Sequence, residues 1–212
     1  MAKPNLILLG APGSGKGTQA AKISSRLGYS HVSTGDLLRS EIAKGSELGK
    51  KVESILKEGA LVDDHTVLDL LKANCDLAAN AYIFDGFPRN LDQAQLLDEH
   101  IIKDSASMAI FFEIDDEVIV ERIVNRRIAK GSGEIYNLKS RPPKVEGKCD
   151  VSGEDLIHRP DDQEDVVRKR LEVFRAEIAP MLEYYEGKGR LQRVNALTEA
   201  EQLFSEIEKL IG

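Results

Sequence analysis

Asn5-Leu-Ile-Leu-Leu9 runs directly into Gly10-Ala-Pro-Gly-Ser-Gly-Lys16, and the segment that follows carries a helical pattern as far as Leu27. An unbroken apolar run ended by glycine predicts a strand buried on both faces. The loop fits G-x-x-x-x-G-K, and the strand before it and helix after it are the context that gives this pattern a mechanism. Without side chains at Gly10, Gly13 and Gly15, the backbone can curl until successive N–H groups point inward at an anion. The helix N-terminus adds partial positive charge, and Lys16 reaches toward the outer phosphates. A glycine turn that binds nothing would need neither the lysine nor these flanks. The residue after Lys16 is Gly17, with Thr18 one place later, so the usual hydroxyl ligand to magnesium is missing or displaced. The metal is then expected on phosphate oxygens and water, with Asp85 as an outer-shell anchor.

Further short strands are expected at residues 29–32, 81–84, 108–114 and 191–194. Between them apolar residues recur at helical spacing: Val67, Leu70, Leu71, Cys75; Val120, Ile123, Val124, Ile128; Val167, Leu171, Phe174, Ile178. Thr198 stands three residues before Glu201, a capping-box spacing that would open a last helix carrying Leu203, Phe204, Ile207 and Leu210. Such alternation predicts an α/β fold, a five-stranded parallel sheet with helices on both faces; with the Gly10–Lys16 loop after its first strand this is a three-layer architecture of the P-loop NTPase type. Two stretches interrupt it. Residues 34–80 hold only helical signals, broken by Gly45, Gly49 and Gly59, where a simple crossover needs one helix. Residues 129–160 hold Gly131, Gly133, Gly147, Gly153, Pro142, Pro143 and Pro160, which end any helix, yet too many apolar residues for a linker. A small strand-rich lid is expected there.

Composition excludes several classes. The 212 residues are 42% hydrophobic and 31% charged, a globular profile able to bury a core without disulfide staples. With 29 basic against 36 acidic side chains the net charge is −7, which disfavours coating a nucleic acid but not holding a small anion in a basic pocket. Cys75 and Cys149 are too few for a disulfide framework or a cysteine zinc site, and fit a reducing compartment. No apolar run approaches the ~20 residues of a membrane span. Residues 1–10 lack the length and cleavage site of a signal peptide, so a cytoplasmic location is expected.

Arginines stand at the motif boundaries. Arg89 closes Asp85-Gly-Phe-Pro-Arg89 just past a strand end, where open α/β sheets bind ligands. Arg122 and Arg126 are four apart, which predicts one face of the helix entering the lid. Arg159 sits where the lid ends, and Arg170 edges an apolar stripe. A lone arginine is usually a solvated surface group; a set so placed on an acidic chain points to phosphate, whose oxygens match the guanidinium fork. Arg127, Arg168 and Arg190 lack such context, and so do His31, His65, His100 and His158.

Gly10-Ala-Pro-Gly-Ser-Gly-Lys-Gly-Thr18, Ser33-Thr-Gly-Asp36 with Arg39, Phe84-Asp-Gly-Phe-Pro-Arg89 with Gln93, Arg122-Ile-Val-Asn-Arg126, Pro142-Pro-Lys-Val-Glu-Gly-Lys148, and Arg159 with Asp161-Asp162 resemble adenylate kinase, in its long-lid bacterial form, over nearly the whole chain. The resemblance implies reversible transfer of the γ-phosphoryl group of MgATP to AMP, giving ADP from both. It places the ATP phosphates on Gly13, Ser14, Gly15, Lys16, Gly17 and Thr18, with Arg126, Ile135 and Tyr136 joining from the lid. Arg122 and backbone near Thr198 would touch the donor adenine. AMP would be held by Thr34, Arg39, backbone from Ala60 through Leu61 to Val62, Gly86, Phe87, Pro88, Arg89 and Gln93. Arg159 and Arg170 would reach the phosphates at the transfer point, making Lys16, Arg89, Arg126, Arg159 and Arg170 the catalytic set. Residues 34–62 would form the AMP-binding insert, 125–162 the lid, and 1–33, 63–124 and 163–212 the core.

Some members of the family staple the lid with zinc, and the corresponding positions here are Ala129, Ser132, Cys149 and Ser152. One thiolate without an imidazole makes no tetrahedral site, so a zinc-free lid is expected. Asn137 stands where a histidine often stacks on the ATP base, which leaves donor-base selectivity open. The competing readings are a kinase for UMP, CMP or GMP and a non-catalytic nucleotide switch. Thr34 with Gln93, whose amide can pair with both a donor and an acceptor on adenine, favours AMP over a pyrimidine. Lys16 and the arginines argue against a dead scaffold. A monomer is expected.

Overall fold

The computed structural model describes residues 3–58 and 61–212. Gly59 and Ala60 therefore lie outside the described residues. The chain starts with β1 (Asn5–Leu9), then α1 (Lys16–Leu27), β2 (Ser30–Ser33), α2 (Thr34–Lys44), α3 (Glu47–Lys57), α4 (Asp64–Asn74), β3 (Tyr82–Asp85), α5 (Leu91–Leu97), β4 (Ser107–Glu113) and α6 (Asp116–Val124). Three short strands follow, β5 (Arg126–Ala129), β6 (Ile135–Asn137) and β7 (Leu156–Ile157), then α7 (Glu164–Gly187), β8 (Leu191–Asn195) and α8 (Ala200–Ile211).

β1 decides the layers, because alternate side chains of a strand face opposite ways. Leu6 and Leu8 pack with Ala20 and Ile23 of α1 and Leu203, Phe204 and Ile207 of α8. Ile7 and Leu9 join the other face, with Leu38, Val52, Leu68, Leu71, Leu97, Met181 and Tyr185. A continuous apolar run is what a strand covered on both sides requires, and all of β1 is buried. The sheet order is β2-β3-β1-β4-β8, every pair parallel, so the loops after β1, β2 and β3 open at one edge. That edge is where open parallel sheets bind ligands.

The first interruption is a helical hairpin. α2 ends at Gly45 in the left-handed conformation, and Ser46 caps α3 by accepting the Gly49 N–H at 3.0 Å. Gly49, read from the sequence as a break, lies inside α3. A Cβ there would fall 2.2 Å from the Glu41 carbonyl oxygen, so the residue exists for close helix contact. Gly→Ala in an open helix adds about 0.5–1 kcal/mol of stability. Gly49→Ala is expected to have the opposite sign, costing about 1–3 kcal/mol through overpacking. Thermal unfolding checks the sign.

The second interruption is a three-stranded antiparallel sheet, order β6-β5-β7, over a small core of Ala129, Tyr136 and Cys149. Two details depart from the periodicity. α6 stops at Val124, so Ile128 and Arg126 belong to β5 and not to the helix that carries Arg122. The Thr198 capping box does not form either. Glu199 caps α8 by accepting the Glu201 N–H, and Glu201 instead binds Arg26 at 2.8 and 3.0 Å and pairs with Lys22. An aligned pair of cations on α1 outcompetes a local backbone contact.

Candidate active site

The loop after β1 takes the shape its glycines permit. Gly10, Gly13 and Gly15 sit at φ 149°, 78° and 100°, and Gly15 starts α1. At Gly13 side-chain room is absent as well, since a Cβ there would meet Ile123 of α6 at 2.5 Å. Lys16 folds over the loop, its Nζ donating to the carbonyls of Gly10 and Ala11 at 2.6 and 2.8 Å and to Ser14 Oγ at 3.3 Å. Burial pulls its ammonium down to about 8; Asp85 opposes this, while Arg89, Arg170 and Arg126 add to it. The amine thus sits in a field of cations, which an incoming phosphate would neutralise.

A cleft of about 870 Å³ opens beside this loop, lined by Gly10, the segment from Gly13 to Thr18, Asp85, Gly86 and Thr198 among others. Arg39, Arg89, Arg122, Arg126, Arg159 and Arg170 all line it, although they come from α2, the loop after β3, α6, β5, the segment after β7 and α7. Ile135, Tyr136 and Asn137 reach it from β6 of the small antiparallel sheet. The expected arginines therefore converge, while Arg168 and Arg190 bind Glu164 and Asp98 elsewhere. Thr34, Val62, Phe87 and Gln93 line a smaller neighbouring cavity of about 20 Å³, which shares Leu61, Gly86 and Arg89 with the cleft. Ala60 is outside the described residues.

Carboxylates hold four of these guanidinium groups, those of Arg39, Arg126, Arg159 and Arg170, in place. Arg126 grips fully buried Asp162, its Nε donating to Oδ2 at 2.9 Å while Nη2 bonds the other oxygen. Burial would lower the Arg126 pKa, but the hydrogen bonds and charge of Asp162 outweigh it and raise it. Arg170 donates to Asp161 Oδ2 at 2.9 Å, and Asp36 receives Arg39 at 2.6 Å and Arg159 at 3.5 Å. Burial pulls Arg170 and Arg159 each down to about 10, reinforced by neighbouring arginines. Both stay charged at neutral pH, which suits a polyanion.

Several functional-looking groups escaped the sequence reading. Gln19 donates from Nε2 to Ala200 O at 2.9 Å, tying α1 to the first residue of α8, two places after Thr198. Arg141 also lines the cleft, and His31, without motif context, places Nε2 3.5 Å from Asp85 Oδ2. The positions aligned with zinc ligands gather differently. Cys149 Sγ lies 3.5 Å from Ser132 Oγ, Tyr136 Oη and the Ser152 N–H, and Glu154 accepts from Gly131, Ser132 and Ser152. Among the described residues no group of three His, Cys, Asp or Glu could hold a metal ion, and no helix is long and apolar enough to cross a membrane.

Cations converging on a phosphate-cradling loop at the edge of a parallel sheet belong to the P-loop phosphotransferases, in which charge and alignment do the chemistry. The family model described as adenylate kinase matches residues 8–190. An adenylate kinase of Thermosipho africanus is 44% identical over 98% of this chain and 99% of its own. One of Lachnospira eligens is 42% identical over 98% and 99%, and adenylate kinase 2 of Schistosoma mansoni 42% identical over 98% and 88%. The chain belongs to the adenylate kinase family, and its activity is ATP:AMP phosphotransfer.

Proposed function

We propose that the 870 Å³ cleft holds both nucleotides end to end, with ATP phosphates on the loop from Gly13 to Thr18 and AMP between α2, the loop after β3 and α5. The observation that carries this is the convergence of Lys16 and seven arginines, Arg141 among them, from separate segments of the chain on one cleft. Arg122 and the loop at Thr198, just before the α8 residue that Gln19 binds, border the donor base. Thr34, Leu61, Val62 and Gln93 border the acceptor base, and Arg39 and Arg89 its phosphate. Lys16, Arg126, Arg159 and Arg170 then surround the group in transit, placing positive charge where its equatorial oxygens gain negative charge.

Magnesium is the expected companion of ATP and would neutralise its outer phosphates. Asp85 supports this, as a hard oxygen donor whose carboxylate points to within 3.5 Å of where a Gly17 Cβ would stand. A lone carboxylate suits an ion that keeps several waters. The lid is read as zinc-free and held by the Cys149, Tyr136 and Glu154 hydrogen bonds. Residues 34–62 and 125–162 are read as the insert and lid on a core of 1–33, 63–124 and 163–212, closing to keep water from the phosphoryl group. The two unpaired cysteines support a reducing, cytoplasmic compartment. The amphipathic faces of α7 and α8 are already used in the core, which supports a monomer.

A coupled assay of MgATP with AMP, GMP, CMP and UMP tests the acceptor; turnover restricted to AMP is expected. Arg39→Ala is expected to raise the KM for AMP about 10–100-fold, the loss of a charge-assisted hydrogen bond, with the KM for ATP little changed. A selective rise in the KM for ATP would reverse the two sites.

A further inference from the structure

Gln93 is only 2% exposed, and its carboxamide is held at both ends. Oε1 accepts the Arg89 backbone N–H at 2.8 Å, and Nε2 donates to Asp64 Oδ1 at 2.6 Å. Neither partner can change role, since a backbone N–H only donates and a carboxylate only accepts. A half-turn of the carboxamide would set N–H against N–H and oxygen against carboxylate, leaving buried groups unpaired. One N–H and one oxygen lone pair remain, and Gln93 lines the small cavity with Thr34, Leu61 and Val62. They can be presented only in one polarity.

That polarity matters to a purine. Adenine carries an amino donor at position 6 beside an acceptor at N1, whereas a 6-oxopurine carries an acceptor at position 6 beside an N–H at N1. An unrestrained glutamine could serve either by turning over. We infer that Asp64 is a specificity-determining residue for the acceptor, locking the Gln93 carboxamide in the orientation that takes a 6-aminopurine monophosphate and refuses a 6-oxopurine one. The inference rests on the proposal that Gln93 borders the acceptor base. Asp64 acts through Gln93, as a positioning residue. It is the first residue of α4, directly after the cap Asp63, which accepts the Thr66 N–H at 3.0 Å. A merely structural Asp64 would only support that helix end.

The experiment measures kcat/KM for AMP and for IMP at saturating MgATP, with thermal unfolding, in the parent and in Asp64→Ala, Asp64→Asn, Asp63→Ala and Gln93→Ala. Asp64→Ala is expected to lower the AMP-to-IMP ratio about tenfold or more, the size of one hydrogen bond to a charged group, with the KM for ATP within about twofold of the parent. Asp64→Asn keeps the size of the side chain, but its amide can donate as well as accept, so it too releases the lock and is expected to lower the ratio. Asp63→Ala loses thermal stability with the ratio unchanged. Asp64→Ser, too short to reach Gln93, replaces the alanine variant if that does not fold. A ratio within about twofold of the parent in folded Asp64→Ala or Asp64→Ser overturns the inference, as does an equal fall in Asp63→Ala. Gln93→Ala separates the two failures. If it leaves the ratio intact, the assignment of Gln93 to the base is wrong; if it collapses the ratio while Asp64→Ala does not, only the lock is.

Discussion

Lys16→Ala is expected to lower kcat by about 10²–10³ while the protein still folds, the usual effect of deleting one preorganised group that stabilises transition-state charge. The fold survives because β1 and α1 are held by Leu6, Leu8, Ala20 and Ile23 and not by the ammonium. Removing a buried cation from among Arg89, Arg126 and Arg170 relieves repulsion in the free protein. Thermal stability should therefore hold or rise as turnover collapses, a pairing that coupled kinetics and calorimetry detect. The charge has a second signature. In the free protein the ammonium titrates at about 8, and kcat/KM reports free-enzyme ionisations. The phosphate site loses its proton-borne charge as pH rises through that value, so kcat/KM is expected to fall above it. A group with a folded pKa below its unfolded one also gains stability with rising pH, so unfolding should become harder between about 8 and the unperturbed 10.5. Near-normal turnover in the alanine variant would remove Lys16 from the mechanism.

Arg126→Ala is expected to fail twice. It takes a guanidinium from the transit site, and single arginines are worth about 10³–10⁵ in rate in comparable phosphoryl transfers. It also strands Asp162, whose side chain has no exposed surface. Breaking a buried pair from one side costs about 3–5 kcal/mol, far more than the pair contributes when intact. The two losses separate in a double-mutant cycle. Arg126→Ala with Asp162→Asn should regain much of the stability, because no buried charge is left alone, yet none of the activity. Equal stability in parent and Arg126→Ala would show that Asp162 has another partner.

Local patterns carried most of the fold. β1, α1 and the intervening loop are adjacent in the chain, and their apolar run, glycines and lysine encode them directly. All five core strands fell within a residue or two of expectation, because each is a short apolar run bounded by turn residues. Errors arose where a distant group won a local contest. Glu201 left the cap of α8 for Arg26 and Lys22, 175 and 179 residues away in sequence. Periodicity carried the helix through Arg126, but antiparallel pairing with Asn137 of β6 draws that residue into β5.

The site divides in the same way. By itself the sequence determined a phosphate-cradling loop with Lys16 at its end, two interruptions of an α/β core, and the family, because these depend on residues close together in the chain. Which cations share a cleft, and what holds each of them, was decided only by tertiary structure. Arg126 meets Asp162 across 36 residues, Arg159 meets Asp36 across 123, and Gln93 meets Asp64 across 29. Spacing along a chain fixes direction only within a helix or strand. Once the sheet folds the loops to one edge, partners are set by distance in space, and there burial makes an unpaired charge or amide costly enough to choose its neighbour.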